Sequence, residues 1–144
     1  MKTKAKGYRA ERQLVQFFKD KGIEAYRVPL SGASYLKADV VVRINDKEYL
    51  FEVKNQERLR GIYKYPLPVL FTDNYVALML EDLYEDVYDI RRLAISLPAT
   101  IKRVVKQAER ESALLVIKAS RQKFVVVGQY DAVLDFIKAV KEGI

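Results

Sequence analysis

Asp39, Glu52 and Lys54 combine residue type and spacing in a way that suits chemistry. They fall on two strand-like runs, 37–44 and 47–54, separated by Asn45-Asp46. Asn and Asp both tolerate the positive φ of a two-residue hairpin turn. Such a turn sets residues whose numbers sum to 91 opposite each other, so Asp39 is expected to face Glu52. Lys54 lies two positions beyond Glu52 on the same strand face. Ala38, Val40, Val42 and Ile44 would share the opposite, apolar face with Tyr49, Phe51 and Val53. Two carboxylates about 5 Å apart across a sheet repel and destabilise the hairpin. A hard divalent cation reverses that sign. Mg²⁺ takes oxygen ligands, usually one or two carboxylates, with waters and a substrate phosphate filling the other positions. The Val53 carbonyl, between Glu52 and Lys54, is a further candidate ligand. An ion held there polarises a phosphodiester and activates water. Lys54 would orient the attacking water or offset charge growing on the phosphate. The alternative is a solvated strand face on which the same residues are merely polar.

Composition narrows the chemistry. The 144 residues include no cysteine and no histidine. Thiol nucleophiles, disulfides, thiolate zinc sites and imidazole acid–base chemistry are excluded. Half of the residues are hydrophobic, which suits one ordered domain with a real core. No apolar run approaches the roughly 20 residues needed to cross a bilayer. The basic start MKTKAKGYRAER lacks the apolar segment of a secretory signal. A cytoplasmic protein without a membrane partner is expected, in the host cytoplasm if the source is viral.

The formal net charge is +7. Residues 73–90 carry acids and no base, whereas the stretches on either side are rich in Lys and Arg. Basic surface of this kind suits a polyanion such as nucleic acid, or is simply scattered charge.

The positioning elements follow from periodicity. Residues 8–21 predict a helix with Ala10, Leu14, Phe17 and Phe18 on one stripe and Gly22 as its stop. Glu11 projects to the margin of that stripe. A short strand at 24–28 ends at Pro29, and 30–36 reads as a loop. Residues 55–72 suggest a connection with a short helix. Residues 75–80 suit a strand or a helix start, and the spacing of Leu83, Tyr84, Val87 and Tyr88 is helical. A helix after Ser96, with Ser96 as cap and Pro98 in its first turn, would bury Ile101, Val104, Val105 and Ala108. Strands at 113–119 and 124–127 and a helix at 131–141 complete the chain. The fold class is α/β, one domain over 1–144, a central mixed sheet flanked by helices.

Four short motifs occur in order over residues 6–56: Gly7-Tyr8-Arg9-Ala10-Glu11-Arg12, Arg27-Val28-Pro29-Leu30-Ser31-Gly32, Asp39-Val40-Val41 and Glu52-Val53-Lys54. In combination they resemble the PD-(D/E)xK nuclease superfamily, and more narrowly the archaeal-type Holliday junction resolvases, which also occur in viruses and phages. The resemblance implies a restriction-endonuclease-like core with its motifs in 7–56 and a less well matched helical insertion at about 60–112. It implies that Asp39 and Glu52 bind metal, that Glu11 completes the site, that Lys54 assists the water and that Ser31 acts near the scissile phosphate. Mg²⁺ is the expected cofactor, with Mn²⁺ able to substitute.

Arg9, Arg12, Arg27, Lys37, Arg58 and Arg60 flank these positions and are candidates for DNA-backbone contact. Gln56 would bond substrate or cap its strand. The basic helix face of Lys102, Arg103, Lys106 and Arg110 is either a further phosphate contact or a solvated face.

The expected activity is structure-selective cleavage of four-way DNA junctions by a homodimer. Residues 75–80 or the tyrosine-bearing acidic helix are the candidate interface. The alternatives are a restriction- or repair-type endonuclease of the same fold, and a non-catalytic basic DNA-binding protein.

Overall fold

The structure, a computed structural model, describes residues 2–29, 38–84 and 89–142, the side chains of residues 2–7 and Tyr84 excepted. Ser31 and Lys37 lie outside the described residues, as do Val87 and Tyr88. Three helices, α1 (Lys2–Asp20), α2 (Ala99–Arg110) and α3 (Tyr130–Glu142), flank one sheet. Its strands are β1 (Glu24–Arg27), β2 (Val40–Ile44), β3 (Lys47–Lys54), β4 (Val69–Leu70), β5 (Tyr75–Met79), β6 (Arg91–Arg92), β7 (Ala113–Ile117) and β8 (Val125–Gln129). They lie in the order β1-β2-β3-β7-β8-β5-β4-β6. The β3–β7 and β4–β6 pairs are parallel and the rest antiparallel. This is the expected mixed sheet flanked by helices.

The β2–β3 hairpin forms as its turn chemistry dictates. Asn45 and Asp46 take φ of 52° and 64°, and the ladder pairs Val40 with Phe51 through to Ile44 with Lys47. Central β7 is apolar throughout, as a strand covered on both faces must be. One face of the sheet packs on Ala10, Leu14 and Phe18 of α1 and on Val133, Phe136 and Val140 of α3. The other packs on Ile101, Val104 and Ala108 of α2 and on Leu59 and Ile62 of the 3-10 segment Glu57–Lys64.

Several expectations are corrected. The ladder stops one residue short of an Asp39–Glu52 pair. Phe51, already opposite Val40, also accepts the Asp39 amide at 3.0 Å. Two residues of one strand thus oppose one of the other, which is the pattern of a β-bulge. The bulge breaks the two-residue alternation, so Ala38 packs with the α2 side while Val40 packs with the α1 side.

The stretch at about 60–112 carries α2 and the short 3-10 segments Glu57–Lys64 and Leu80–Tyr84, and it also builds β4, β5 and β6 at the far edge of the sheet. β5 lies between β8 and β4, so its buried residues 75–78 cannot serve as a dimer interface. α2 begins at Ala99 with Pro98 as its cap, and Ser96 lies outside it. Residues 97 and 98 intervene because Leu97 is drawn into the core and its amide donates to Asp73 Oδ1 at 3.2 Å.

Phe51 is fully buried between Phe18 and Phe136, with ring centroids 6.0 and 5.1 Å away. Phe51→Ala should therefore lower the unfolding free energy by about 3–5 kcal/mol. Urea unfolding would read this as a lower midpoint at unchanged slope, and a loss below about 1 kcal/mol would contradict the packing described.

Candidate active site

Three chain segments contribute acids, with Asp39 near enough to Glu11 and to Glu52 to act on the charge of each. Asp39 is held by its backbone at both ends: its amide donates to Phe51, and its carbonyl accepts from the Val28 amide at 2.9 Å. Its side chain then does what the next residue of β2 would have done. Asp39 Oδ2 accepts the Val53 amide at 2.8 Å, on a stretch of β3 that β2 no longer covers. The bulge and the orientation of the carboxylate are therefore one event. Val53 itself turns its side chain into the core, only 6% exposed.

Glu52 is 8% exposed. Its Oε1 lies 3.6 Å from Lys54 Nζ. Its Oε2 is buried and has no hydrogen-bond partner, an arrangement that costs free energy unless something else satisfies it. Glu11 reaches the site from α1, 7% exposed, with Oε1 3.4 Å from Arg27 Nε at the end of β1. The Arg27 guanidinium stacks over the Tyr8 ring at 4.9 Å, which fixes the cation that meets Glu11.

The three acids are in electrostatic conflict. Burial pushes the Glu11 carboxyl above its usual range and the charge of Asp39 pushes it further, against the pull of Arg27 and Arg12. Burial also raises Asp39, against the Val53 amide, Lys54 and Arg27. Glu52 is raised first by burial and then by Glu111 and Asp39, with Lys54 opposing. Arg27, Arg12 and Lys54 together do not return any of the three to its usual range.

The donor set fits a hard divalent ion. Its atoms are carboxylate oxygens, one of them orphaned, and each acid would be relieved by positive charge. Among the described residues no group of three or more acids lies so placed that it could hold a metal ion by itself. An ion here would take one or two carboxylates and fill the rest of its shell with water and phosphate.

Residues 2–64 match the model of the archaeal Holliday junction resolvase family. That segment contains Glu11, Asp39, Glu52 and Lys54; α2 and the far edge of the sheet lie outside the match. Among solved structures the chain is similar to Hjc, a Holliday junction resolvase from the archaeal hyperthermophile Archaeoglobus fulgidus. The two are 16% identical, with a TM-score of 0.38 over 88% of this chain and 86% of that one. No curated protein matches the chain.

The remaining expected contact residues are dispersed. Arg9 and Arg12 are exposed on α1. Arg27 is committed to Glu11. Arg58 donates to Gln56 Oε1 at 2.7 Å, and Arg60 pairs with Glu57 at 2.9 Å. Lys102 is tied to Asp73 at 2.5 Å, while Arg103 and Lys106 stay exposed on α2.

Glu111 was not expected. It follows α2, carries a buried unpartnered Oε2 and adds its charge to the field at Glu52. No local pattern marks it, because its proximity depends on β7 pairing with β3.

A raised folded-state pKa means that the folded chain holds the Glu52 proton more tightly than the unfolded chain does. That contribution to stability is fully present below pH 4.5 and is lost as pH rises through the raised value. In EDTA, Glu52→Gln should therefore melt a few degrees above the unaltered chain at neutral pH. The difference should close below the ordinary carboxylate range. A lower melting temperature at neutral pH would contradict the conflict described.

Proposed function

We propose that this chain is a structure-selective endodeoxyribonuclease that hydrolyses phosphodiesters in four-way DNA junctions. The observation that carries the reading is the orphaned, buried Glu52 oxygen beside Lys54, with Asp39 acting electrostatically on both Glu52 and Glu11, all within the family-matched segment.

Asp39 and Glu52 would hold a divalent cation, Mg²⁺ or in its place Mn²⁺. Glu11 and the Val53 carbonyl are further oxygen donors. Such an ion supplies Lewis-acid polarisation of the phosphodiester when bound. The protein's own contribution is preorganisation. The Val53 amide fixes the rotamer of Asp39, and Arg27 fixes Glu11, so neither carboxylate needs to reorganise when substrate arrives. Lys54 is a quarter exposed and can donate to the attacking water or to a non-bridging phosphate oxygen. Its pairing with Glu52 keeps it aimed at the site. Ser31, by the resemblance of its motif, would act near the scissile phosphate.

DNA contact would come from Arg9, Arg12, Lys37, Gln56, Arg58, Arg60, Arg103 and Lys106. Arg27 and Lys102 act chiefly through the acids they hold. Resolving a junction needs paired cuts in two symmetry-related strands, which a two-fold homodimer supplies. Among the described residues no helix is long and apolar enough to cross a membrane. The reading places the protein in the cytoplasm with its DNA.

The test compares a synthetic four-way junction with a linear duplex of equal length, in Mg²⁺, in EDTA and with Asp39→Asn. The junction should be cut preferentially in Mg²⁺ and left intact in EDTA. Asp39→Asn should slow cleavage on the order of 10²–10³-fold. Equal cutting of both DNAs would replace the junction reading with a restriction- or repair-type nuclease. Binding without cleavage in any metal would leave a DNA-binding protein alone.

A further inference from the structure

The turn from β7 to β8 leaves the sheet at the Lys54 end. Ile117 is the strand partner of Lys54, and the Lys118 amide donates to the Lys54 carbonyl at 3.0 Å. The next residues, Lys118-Ala119-Ser120-Arg121-Gln122-Lys123, carry three cations and no acid.

This turn is clamped from outside. Tyr63, on the 3-10 segment that follows Lys54, makes three contacts through its hydroxyl: it accepts the Ala119 amide at 3.2 Å, donates to the Lys123 carbonyl at 2.7 Å and lies 3.4 Å from the Ile117 carbonyl. The Gln122 amide donates to the Ala119 carbonyl at 3.0 Å. Lys118 Nζ donates to the Gln122 carbonyl and lies 5.4 Å over the Phe124 ring. Glu81, the acid packed against the turn, accepts the Phe124 amide at 3.3 Å. Arg121 takes φ of 63°, a conformation that a non-glycine residue keeps only where its surroundings over-determine it.

The consequence is a division of labour among the cations. Lys118 is spent inside the turn. Arg121 and Lys123 point outward, exposed, and neither forms an ion pair among the described residues. Arg27, Lys47, Lys54, Arg60 and Lys102 all do. Two unneutralised cations on a rigid turn suit a polyanion with fixed charge spacing better than a flexible acidic chain.

We propose that this turn is a phosphate clamp. In it, Arg121 and Lys123 grip the sugar–phosphate backbone of branched DNA beside the scissile position, and Tyr63 is the positioning residue that holds them there. The inference rests on the nuclease reading above and adds contacts outside the family-matched segment.

The test is binding of a synthetic four-way junction in EDTA, followed by fluorescence anisotropy over a range of salt. Two phosphate contacts contribute about 1.8 to the slope of log Kd against log salt. Arg121→Ala/Lys123→Ala should make the slope shallower by about that amount and raise Kd roughly tenfold or more at moderate salt. Lys19→Ala/Lys138→Ala removes the same charge from exposed helix positions and should leave the slope unchanged. Tyr63→Phe should make the slope shallower while kcat at saturating junction is retained, a split that a general loss of stability would not produce.

An unchanged slope and Kd in the Arg121/Lys123 variant would overturn the clamp and leave the nuclease reading standing. An equal loss of slope in the Lys19/Lys138 variant would also overturn it. Unaltered salt dependence in Tyr63→Phe would overturn the positioning role. Failure of the unaltered chain to bind the junction would overturn the nuclease reading and the clamp with it.

Discussion

Burial raises the carboxyls of Glu11, Asp39 and Glu52, the charge of Asp39 adds to this at Glu11 and at Glu52, and Arg27 and Lys54 do not offset it. This cost of burying acids with like charge nearby is the constraint on which the rest of the structure turns. A fold selected for stability alone would have replaced one acid with an amide or moved it into solvent. Here each is fixed instead: Glu11 by Arg27, Asp39 by the Val53 amide and Glu52 by β3 itself. The repulsion is therefore stored in a rigid frame, ready to be relieved by a cation, and the stability it costs is offset by the two apolar layers around the sheet.

The frame acts through backbone more than through side chains. The bulge at Asp39 uncouples one residue from the ladder, and the freed carboxylate takes over the ladder's bond to Val53. β3 thereby serves three partners. It pairs with β2, carries Glu52 and Lys54 on one face, and passes the end of the sheet to β7 through the Lys54 carbonyl. Tyr63 then ties the segment leaving β3 to the turn leaving β7. A single strand end thus sets the positions of the acids, the lysine and the basic turn.

Legibility followed the range of the interactions. The hairpin turn, the bounds of β3 and the stripe that buries Leu14 and Phe18 rest on local alternation and turn chemistry, so they were readable. The acids of the proposed site stood out less locally: the hairpin drew attention to Asp39 and Glu52, though in a register the bulge alters, and only the family resemblance gave Glu11 a role. The bulge was not readable, because it depends on Asp39 competing for an amide on another strand. β4 and β6 are two residues long, too short for any periodic pattern, and the helical spacing around Leu83 resolves into a single 3-10 turn before residues 85–88. Glu111 and Tyr63 become part of the site only once β7 lies beside β3. The charge of the 118–123 turn was visible in the sequence, but its place beside Lys54 was not.

The proposed nuclease chemistry thus rests on one claim, that Asp39 and Glu52 hold a divalent ion. Calorimetric titration of Mn²⁺ into the unaltered chain, Asp39→Asn and Glu52→Gln tests it most directly. The account predicts saturable binding to the unaltered chain, weakened at least about tenfold by either substitution. Equal affinity in all three proteins, or no binding to the unaltered chain at Mn²⁺ concentrations that support cleavage, would contradict it.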